Sequence, residues 1–174
     1  MANSVGTSGN DQLTGGSNPD SIDGGSGNDT LTGAGGADSL TGGLGDDSFV
    51  YTSAADINNL AETIDGGAGN DTIALSAVST TLDFSSASII GVEWIAATSN
   101  LYNVVVSLTP TQLASLSGLQ GQAGLIGGRP TIQLTSSGLV DLSAKTVTAI
   151  GGFIGAAGAD TMIGTAGDDT LSGA

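Results

Sequence analysis

A nine-residue period constrains this chain more than any other feature. Counting in nines from Gly6 reaches Gly15, Gly24, Gly33 and Gly42. Asp recurs in the same register at Asp11, Asp20, Asp29, Asp38 and Asp47, and a large apolar residue at Leu13, Ile22, Leu31, Leu40 and Phe49. The five units read GTSGNDQLT, GGSNPDSID, GGSGNDTLT, GAGGADSLT and GGLGDDSFV. The register breaks, returns at GGAGNDTIA from Gly66 to Ala74, and returns again at GAAGADTMI and GTAGDDTLS from Gly155 to Ser172. A flexible linker has no reason to place an acid and an aliphatic residue at fixed intervals. Self-similarity at a fixed period is instead the mark of a stacked repeat fold.

The pattern resembles the glycine-rich nonapeptide G-G-x-G-x-D-x-U-x of the repeats-in-toxin (RTX) family, which winds a parallel β-helix and binds calcium. Eight complete units match it, over roughly residues 6–74 and 155–172. The expected fold is therefore all-β, a right-handed parallel β-roll or β-solenoid. In each unit the first six residues form a turn, where glycine permits positive φ and close approach of backbone. The last three form a short strand whose central residue points inward, because strand side chains alternate. Two units make a coil, and stacked coils make an aliphatic ladder. A chain with only 3% aromatic residues can build its core in that way.

Alternate turns lie on opposite edges of such a stack, so turn n faces turn n+2. Two Asp side chains then meet across a strand spacing, roughly 4.8 Å. The repulsion is relieved by a hard dication held by about six oxygens, as calcium prefers. Magnesium demands stricter octahedral geometry, and transition metals favour nitrogen or sulfur ligands. The chain has no Cys and no His. That also removes zinc sites of that type and any Ser-His-Asp relay.

The resemblance implies a ligand list. One turn gives the carbonyls of its second and fourth positions and its Asp; the next turn on that edge gives its first and third carbonyls and its Asp. The first site is then Thr7, Gly9 and Asp11 with Gly24, Ser26 and Asp29. The second is Gly16, Asn18 and Asp20 with Gly33, Gly35 and Asp38. The third joins Gly25, Gly27 and Asp29 to Gly42, Leu44 and Asp47. The fourth joins Gly43, Gly45 and Asp47 to Gly66, Ala68 and Asp71, with residues 51–65 forming one long half-coil. About four Ca2+ ions follow. Thr7 and Ala34 depart from the family's glycine, and Asn18-Pro19 replaces Gly-x; Pro fixes φ and removes a donor, which makes the second site the less regular one. Asp160 and Asp169 are expected as half-sites whose partner turns would lie beyond residue 174.

Residues 75–154 carry no such register. They alternate as strands, in "TIALSAV", "TLDFS", "VEWIAAT", "NVVVSL", "TIQLTS" and "LVDLS". "TLDFSSASIIGVEWI" aligns with "LVDLSAKTVTAIGGFI", setting Asp83 opposite Asp141 and Val92 opposite Ile150. Thr109 as N-cap and Pro110 at the first helical position predict a short helix near 110–116. The expected organisation is a calcium-binding block over 6–74, a strand-rich solenoid segment over 75–154 and a second block over 155–174. Glu93, Trp94 and Tyr102 could form a carbohydrate platform, but packing against the solenoid is the stronger reading. A glycosidase-like dyad among Glu62, Glu93 and Asp83 rests on acid type alone. Lys145 and Arg129 read as structural.

Seventeen acidic residues against two basic ones give a net charge of −15. That excludes binding to nucleic acid or to anionic membrane surfaces. No apolar run approaches the ~18 residues of a membrane-spanning helix. The expected function is a non-enzymatic structural module that folds on calcium outside the cell. By resemblance, it is part of a larger bacterial protein exported by type I secretion, and thus secreted or at the cell surface. The chain stops inside a ninth unit and shows no export signal of its own, as expected of a fragment. Two alternatives stay open: an adhesin or surface-layer segment that self-associates end to end, and an accessory module of a secreted enzyme with a glycan or cell-surface partner.

Overall fold

The computed structural model of the chain describes residues 3–57, 60–76, 81–98, 104–121, 129–166 and 169–173. The first three coils each contain two strands. They run β1 (Asn3–Val5) and β2 (Gln12–Thr14), then β3 (Ser21–Ser26) and β4 (Thr30–Thr32), then β5 (Ser39–Leu44) and β6 (Ser48–Tyr51). A short 3-10 turn at Ala54–Asp56 follows, and then β7 (Thr63–Ala68) and β8 (Thr72–Leu75). From here the cross-section gains a third face. The chain continues through β9 (Thr81–Asp83), β10 (Ser88–Ile90), β11 (Trp94–Ala97), β12 (Val105–Leu108), helix α1 (Pro110–Ser115) and β13 (Gly118–Gln120). It ends with β14 (Thr131–Leu134), β15 (Leu139–Asp141), β16 (Thr146–Thr148), β17 (Gly152–Ile154), β18 (Thr161–Ile163) and β19 (Leu171–Ser172).

Among the described residues every strand pair is parallel, as a coil that always advances the same way requires. One sheet orders β1-β3-β5-β7-β10, a second β2-β4-β6-β8-β11-β13-β16, a third β9-β12-β14-β17-β19, and β15 pairs β18. The protein is a parallel β-solenoid of the β-roll type. Strands joined by short turns or loops fall in different sheets, while each sheet collects one strand per coil.

The apolar position of the repeat forms the core. In the first sheet Ile22, Leu40, Ile64 and Ile89 stack in register. In the second, Leu13, Leu31, Phe49, Ile73, Ile95, Leu119 and Val147 do so. Away from the ends these residues are buried, with Leu31, Phe49, Ile64, Ile73 and Leu119 at 0% exposure. Each full burial stabilises by about 1.5–3 kcal/mol. Where the cross-section widens, larger groups fill it, and the ring of Tyr51 meets Phe84 edge to face at 5.1 Å.

Helix α1 forms where its capping signals predict. The Thr109 side chain accepts the Gln112 N–H at 3.2 Å, and the Gln112 side chain accepts the Thr109 N–H at 2.8 Å. The Gln112 Nε2 also donates to the carbonyls of Phe84 and Ala87, seating the helix over the corner before β10. Lys145 Nζ donates to the carbonyls of Ala114 and Leu116 at the other end of the helix, which fits the structural role read for it.

The two aligned stretches of the middle segment share a corner but not a face. Asp83 accepts the Ser85 N–H at 3.0 Å, and Asp141 the Ser143 N–H at 2.9 Å. Phe84 and Leu142 are fully buried, and Gly91 and Ala149, at matching positions, both take positive φ. Yet the first copy runs through the third, first and second sheets, and the second from the β15–β18 pair through the second and third. Similarity in sequence here reports a turn, not a place in the stack.

Candidate metal centre

The turns stack in two columns, as the period requires. Turns 6–11, 24–29, 42–47 and 66–71 share one edge, and turns 15–20 and 33–38 share the other. The strands run on into the first column in register, pairing Gly25 with Gly43, Ser26 with Leu44, Gly43 with Gly67, and Leu44 with Ala68.

A ladder of carboxylates runs up each column. The Asp11 N–H donates to Asp29 Oδ1 at 2.7 Å, Asp29 to Asp47 at 2.8 Å, and Asp47 to Asp71 at 2.8 Å. On the other edge the Asp20 N–H donates to Asp38 Oδ1 at 2.8 Å. Each Asp thus gives one oxygen to the coil before it. The second oxygen of Asp29, Asp38, Asp47, Asp71 and Asp160 is buried and has no hydrogen-bond partner. An unpaired buried carboxylate oxygen is costly, so these atoms need a cation or a proton.

The glycines show where the free oxygens point. A Cβ built on Gly24 would lie closer than 3.0 Å both to Asp29 Oδ2 and to the Gly42 carbonyl of the next coil. The same convergence occurs at Gly42, between Asp47 Oδ2 and the Gly66 carbonyl. At Gly6 it joins Asp11 Oδ2 to the Gly24 carbonyl, and at Gly15 it joins Asp20 Oδ2 to the Gly33 carbonyl. The repeat's first glycine is therefore missing a side chain where two oxygens of successive coils must approach each other. The second glycine has a different reason. Gly25, Gly43 and Gly67 sit at φ 93, 111 and 94°, a region closed to most side chains. Ala34 takes the same region at φ 66° with a Cβ in place.

The donor set is all oxygen, paired across coils, and it fits calcium. Among the described residues no three acidic side chains gather into one cluster; these centres are carboxylate pairs completed by carbonyls. The first coil is built differently from the others. There Asp11 Oδ2 accepts the Thr7 N–H and Asp20 Oδ2 the Gly16 N–H, each at 2.6 Å. Several carbonyls expected as ligands also accept an N–H from a neighbouring turn: Thr7 from Ser26, Gly16 from Gly35, Leu44 from Gly27 and Ala68 from Gly45. A carbonyl has a second lone pair for an ion. Gly9, Gly27 and Gly45 lie at the fourth turn position; Gly27 and Gly45 take φ 107 and 119°. Asn18 lies under Gly36, whose Cβ would strike the Asn18 backbone. Gly35 stacks on Gly16 through its N–H.

Two acids of the columns escape the nine-residue register. Glu62 accepts the Asp38 N–H at 3.0 Å, and Glu93 accepts the Asp71 N–H at 2.8 Å. Each glutamate holds the place of the next Asp in its column. Both precede a strand in the pattern acid-x-apolar-x, as Glu62-Thr63-Ile64-Asp65 and Glu93-Trp94-Ile95-Ala96. That D-x-U-x tail with Glu for Asp was the signal available. The turns before them have eleven and three residues rather than six, which hides the register. Asp83 accepts the Ser85 N–H at its own corner, and the two glutamates sit in separate columns. Trp94 packs over Gly118, and Tyr102 lies outside the described residues. Asp160 has a neighbour the sequence does not reveal: its Oδ1 accepts the Gly138 N–H at 3.1 Å, from the preceding coil. Thr165 Oγ1 donates to Asp169 Oδ1 at 3.0 Å.

Burial raises the carboxyls of Asp38, Asp47 and Asp71 above the usual range, and neighbouring acids add to it. Glu62 is raised to about 7, first by burial and then by Asp38. The columns hold charge that the fold alone does not neutralise.

Parallel coils closed by carboxylate-and-carbonyl turns define a calcium-binding β-roll. The family model described as the RTX calcium-binding nonapeptide repeat (4 copies) matches residues 5–40, 14–49, 23–57, 56–77 and 154–174. These matches span more than half of the chain, and it belongs to that family. A comparison with curated protein sequences gives no match.

Proposed function

We propose that this chain is a non-enzymatic module whose solenoid forms on calcium outside the cell, within a larger secreted protein. The observation that carries this reading is the row of buried Asp Oδ2 atoms without partners, each of Asp29 and Asp47 facing a carbonyl of the next coil. Without calcium, a net charge of −15 and 30 glycines oppose compaction. An ion that binds only the folded state stabilises it by mass action. Four ions, in the sites of Asp11 and Asp29, Asp20 and Asp38, Asp29 and Asp47, and Asp47 and Asp71, would bring the charge to about −7.

Extracellular calcium modules have dissociation constants of ~10⁻⁴–10⁻³ M. A module of that affinity stays loose in calcium-poor cytosol and compacts after export. Membership in a family of secreted proteins supports this, and among the described residues no helix is long and apolar enough to cross a membrane. The test is circular dichroism through a calcium titration, reversed with EDTA. The strand signal should rise with calcium and fall with chelation. A strand signal indifferent to both would sink the reading.

A further inference from the structure

We infer that the column of turns 6–11, 24–29, 42–47 and 66–71 carries one more calcium site than its repeats provide, completed by the non-repeat turn Gly91–Glu93. This rests on the calcium reading above and extends it past the last nonapeptide of the first block. Asp71 is 0% exposed, its Oδ1 is taken by the Asp47 N–H, and its Oδ2 has no partner. A Cβ built on Gly66 would lie closer than 3.0 Å to both Asp71 Oδ2 and the Gly91 carbonyl. That is the convergence found at Gly24 and Gly42, with Gly91 standing where the first glycine of another repeat would stand.

The rest of the ladder also continues. Asp71 donates its N–H to Glu93 Oε2 at 2.8 Å, as Asp47 does to Asp71 Oδ1. The Glu93 and Trp94 N–H groups both return to the Asp71 carbonyl. Ile90 pairs with Asp65 and Trp94 with Thr72, so the coil stays in register on both sides of the turn. Only three residues span the corner that six span in a repeat, and the extra methylene of glutamate makes up the reach. Gly91 takes φ 61° and faces the Gly67 backbone, bringing that second-position carbonyl alongside. The site's oxygens are Asp71 Oδ2, the Glu93 carboxylate and the Gly91 carbonyl, with the Gly67 carbonyl from the preceding turn.

The opposite edge also ends in a glutamate, and it makes the contrast. Glu62 Oε1 takes the Asp38 N–H and Oε2 takes the Tyr51 hydroxyl at 3.3 Å, so both oxygens are engaged. The three atoms nearest a Cβ on Gly33 all belong to Asp38, with no carbonyl of the next coil among them. Asp38 Oδ2 on that edge is also without a partner, but both Glu62 oxygens are engaged and no carbonyl of the next coil stands nearest to Gly33, so Glu62 does not complete a site as Glu93 does.

Native mass spectrometry of the protein in calcium, with terbium luminescence excited through the single Trp, tests this. Wild type should carry five ions and Glu93→Gln four, because glutamine keeps an acceptor for the Asp71 N–H but loses the charge. Glu62→Gln should keep five. Trp94 adjoins Glu93, so Glu93→Gln should lose at least half of the Trp-sensitised terbium emission. Glu93→Asp, too short for the three-residue corner, should weaken that one site at least tenfold, and it is the variant read if Glu93→Gln lacks the wild-type dichroism. Equal ion counts in wild type and Glu93→Gln, or the same loss in Glu62→Gln, would overturn the inference. A wild type that binds no calcium would instead overturn the functional reading beneath it.

Discussion

The backbone N–H of Asp29 donates to Oδ1 of Asp47 one coil on, at 2.8 Å, while Asp29's own Oδ1 accepts the N–H of Asp11. One residue therefore links three coils, and its remaining oxygen is buried and unpartnered. Removing it should do two kinds of damage. Asp29→Ala strips a carboxylate from two calcium sites and leaves the Asp11 N–H unpaired, at about 1–3 kcal/mol. Asp29→Asn keeps an acceptor and loses only the charge. Isothermal titration should show the calcium midpoint rising by about tenfold or more in both, with Asp29→Ala also less stable in saturating calcium. Wild-type titration by Asp29→Ala would show that the columns are not the binding sites.

The glycines divide by what surrounds them, and single alanines should separate them. A Cβ on Gly43 would strike the Gly25 carbonyl, and its φ is 111°. Gly43→Ala should cost about 1–3 kcal/mol. Gly9 has only the Thr7 hydroxyl near it, at 3.9 Å. Gly9→Ala should be neutral or slightly stabilising, since it restricts the unfolded chain. Thermal melts in saturating calcium would compare the two, and equal losses would contradict the assignment.

Ala34 gives the reverse test. It stands at the position held by Gly25, Gly43 and Gly67 in their repeats, at φ 66°. The left-handed region costs a side-chain-bearing residue roughly 1–2 kcal/mol, and glycine's extra chain entropy returns roughly 0.5–1. Ala34→Gly should then stabilise by about 0.5 kcal/mol, read as a small rise in melting temperature. A fall would place the cost of that turn elsewhere.

What the sequence made legible follows the period. Where six-residue turns alternate with three-residue strands, each residue's side of the coil is fixed, and the buried Ile22, Leu31, Leu40, Phe49 and Ile73 lie where the register puts them. Once turn length varies, the register no longer says which sheet a strand joins. Asp83 and Asp141 share a corner and lie in different sheets for that reason. Glu62 and Glu93 were hidden by the same cause: an eleven-residue turn and a three-residue turn reach the column from different distances, and only a longer acid fits the second. The capped helix was legible because Thr109 and Pro110 act locally.

Acidity should act on the calcium-free and calcium-bound proteins in opposite directions. Burial holds Asp38, Asp47 and Asp71 above the ordinary carboxylate range and lifts Glu62 from 4.5 to about 7. A carboxyl raised on folding binds its proton more tightly in the folded state. Its contribution is fully present below the unfolded value and is lost as pH rises through the folded one. For Glu62, 1% exposed, that window runs from about 4.5 to about 7 and is worth roughly 3 kcal/mol. Without calcium the solenoid should therefore gain stability on going from pH 8 to pH 5. With calcium, protons compete with the ion for the oxygens of Asp38, Asp47 and Asp71, and the same change should weaken binding. Denaturant melts at pH 5, 6, 7 and 8, in EDTA and in calcium, should give slopes of opposite sign. Parallel slopes would mean that the buried carboxylates are not what calcium neutralises.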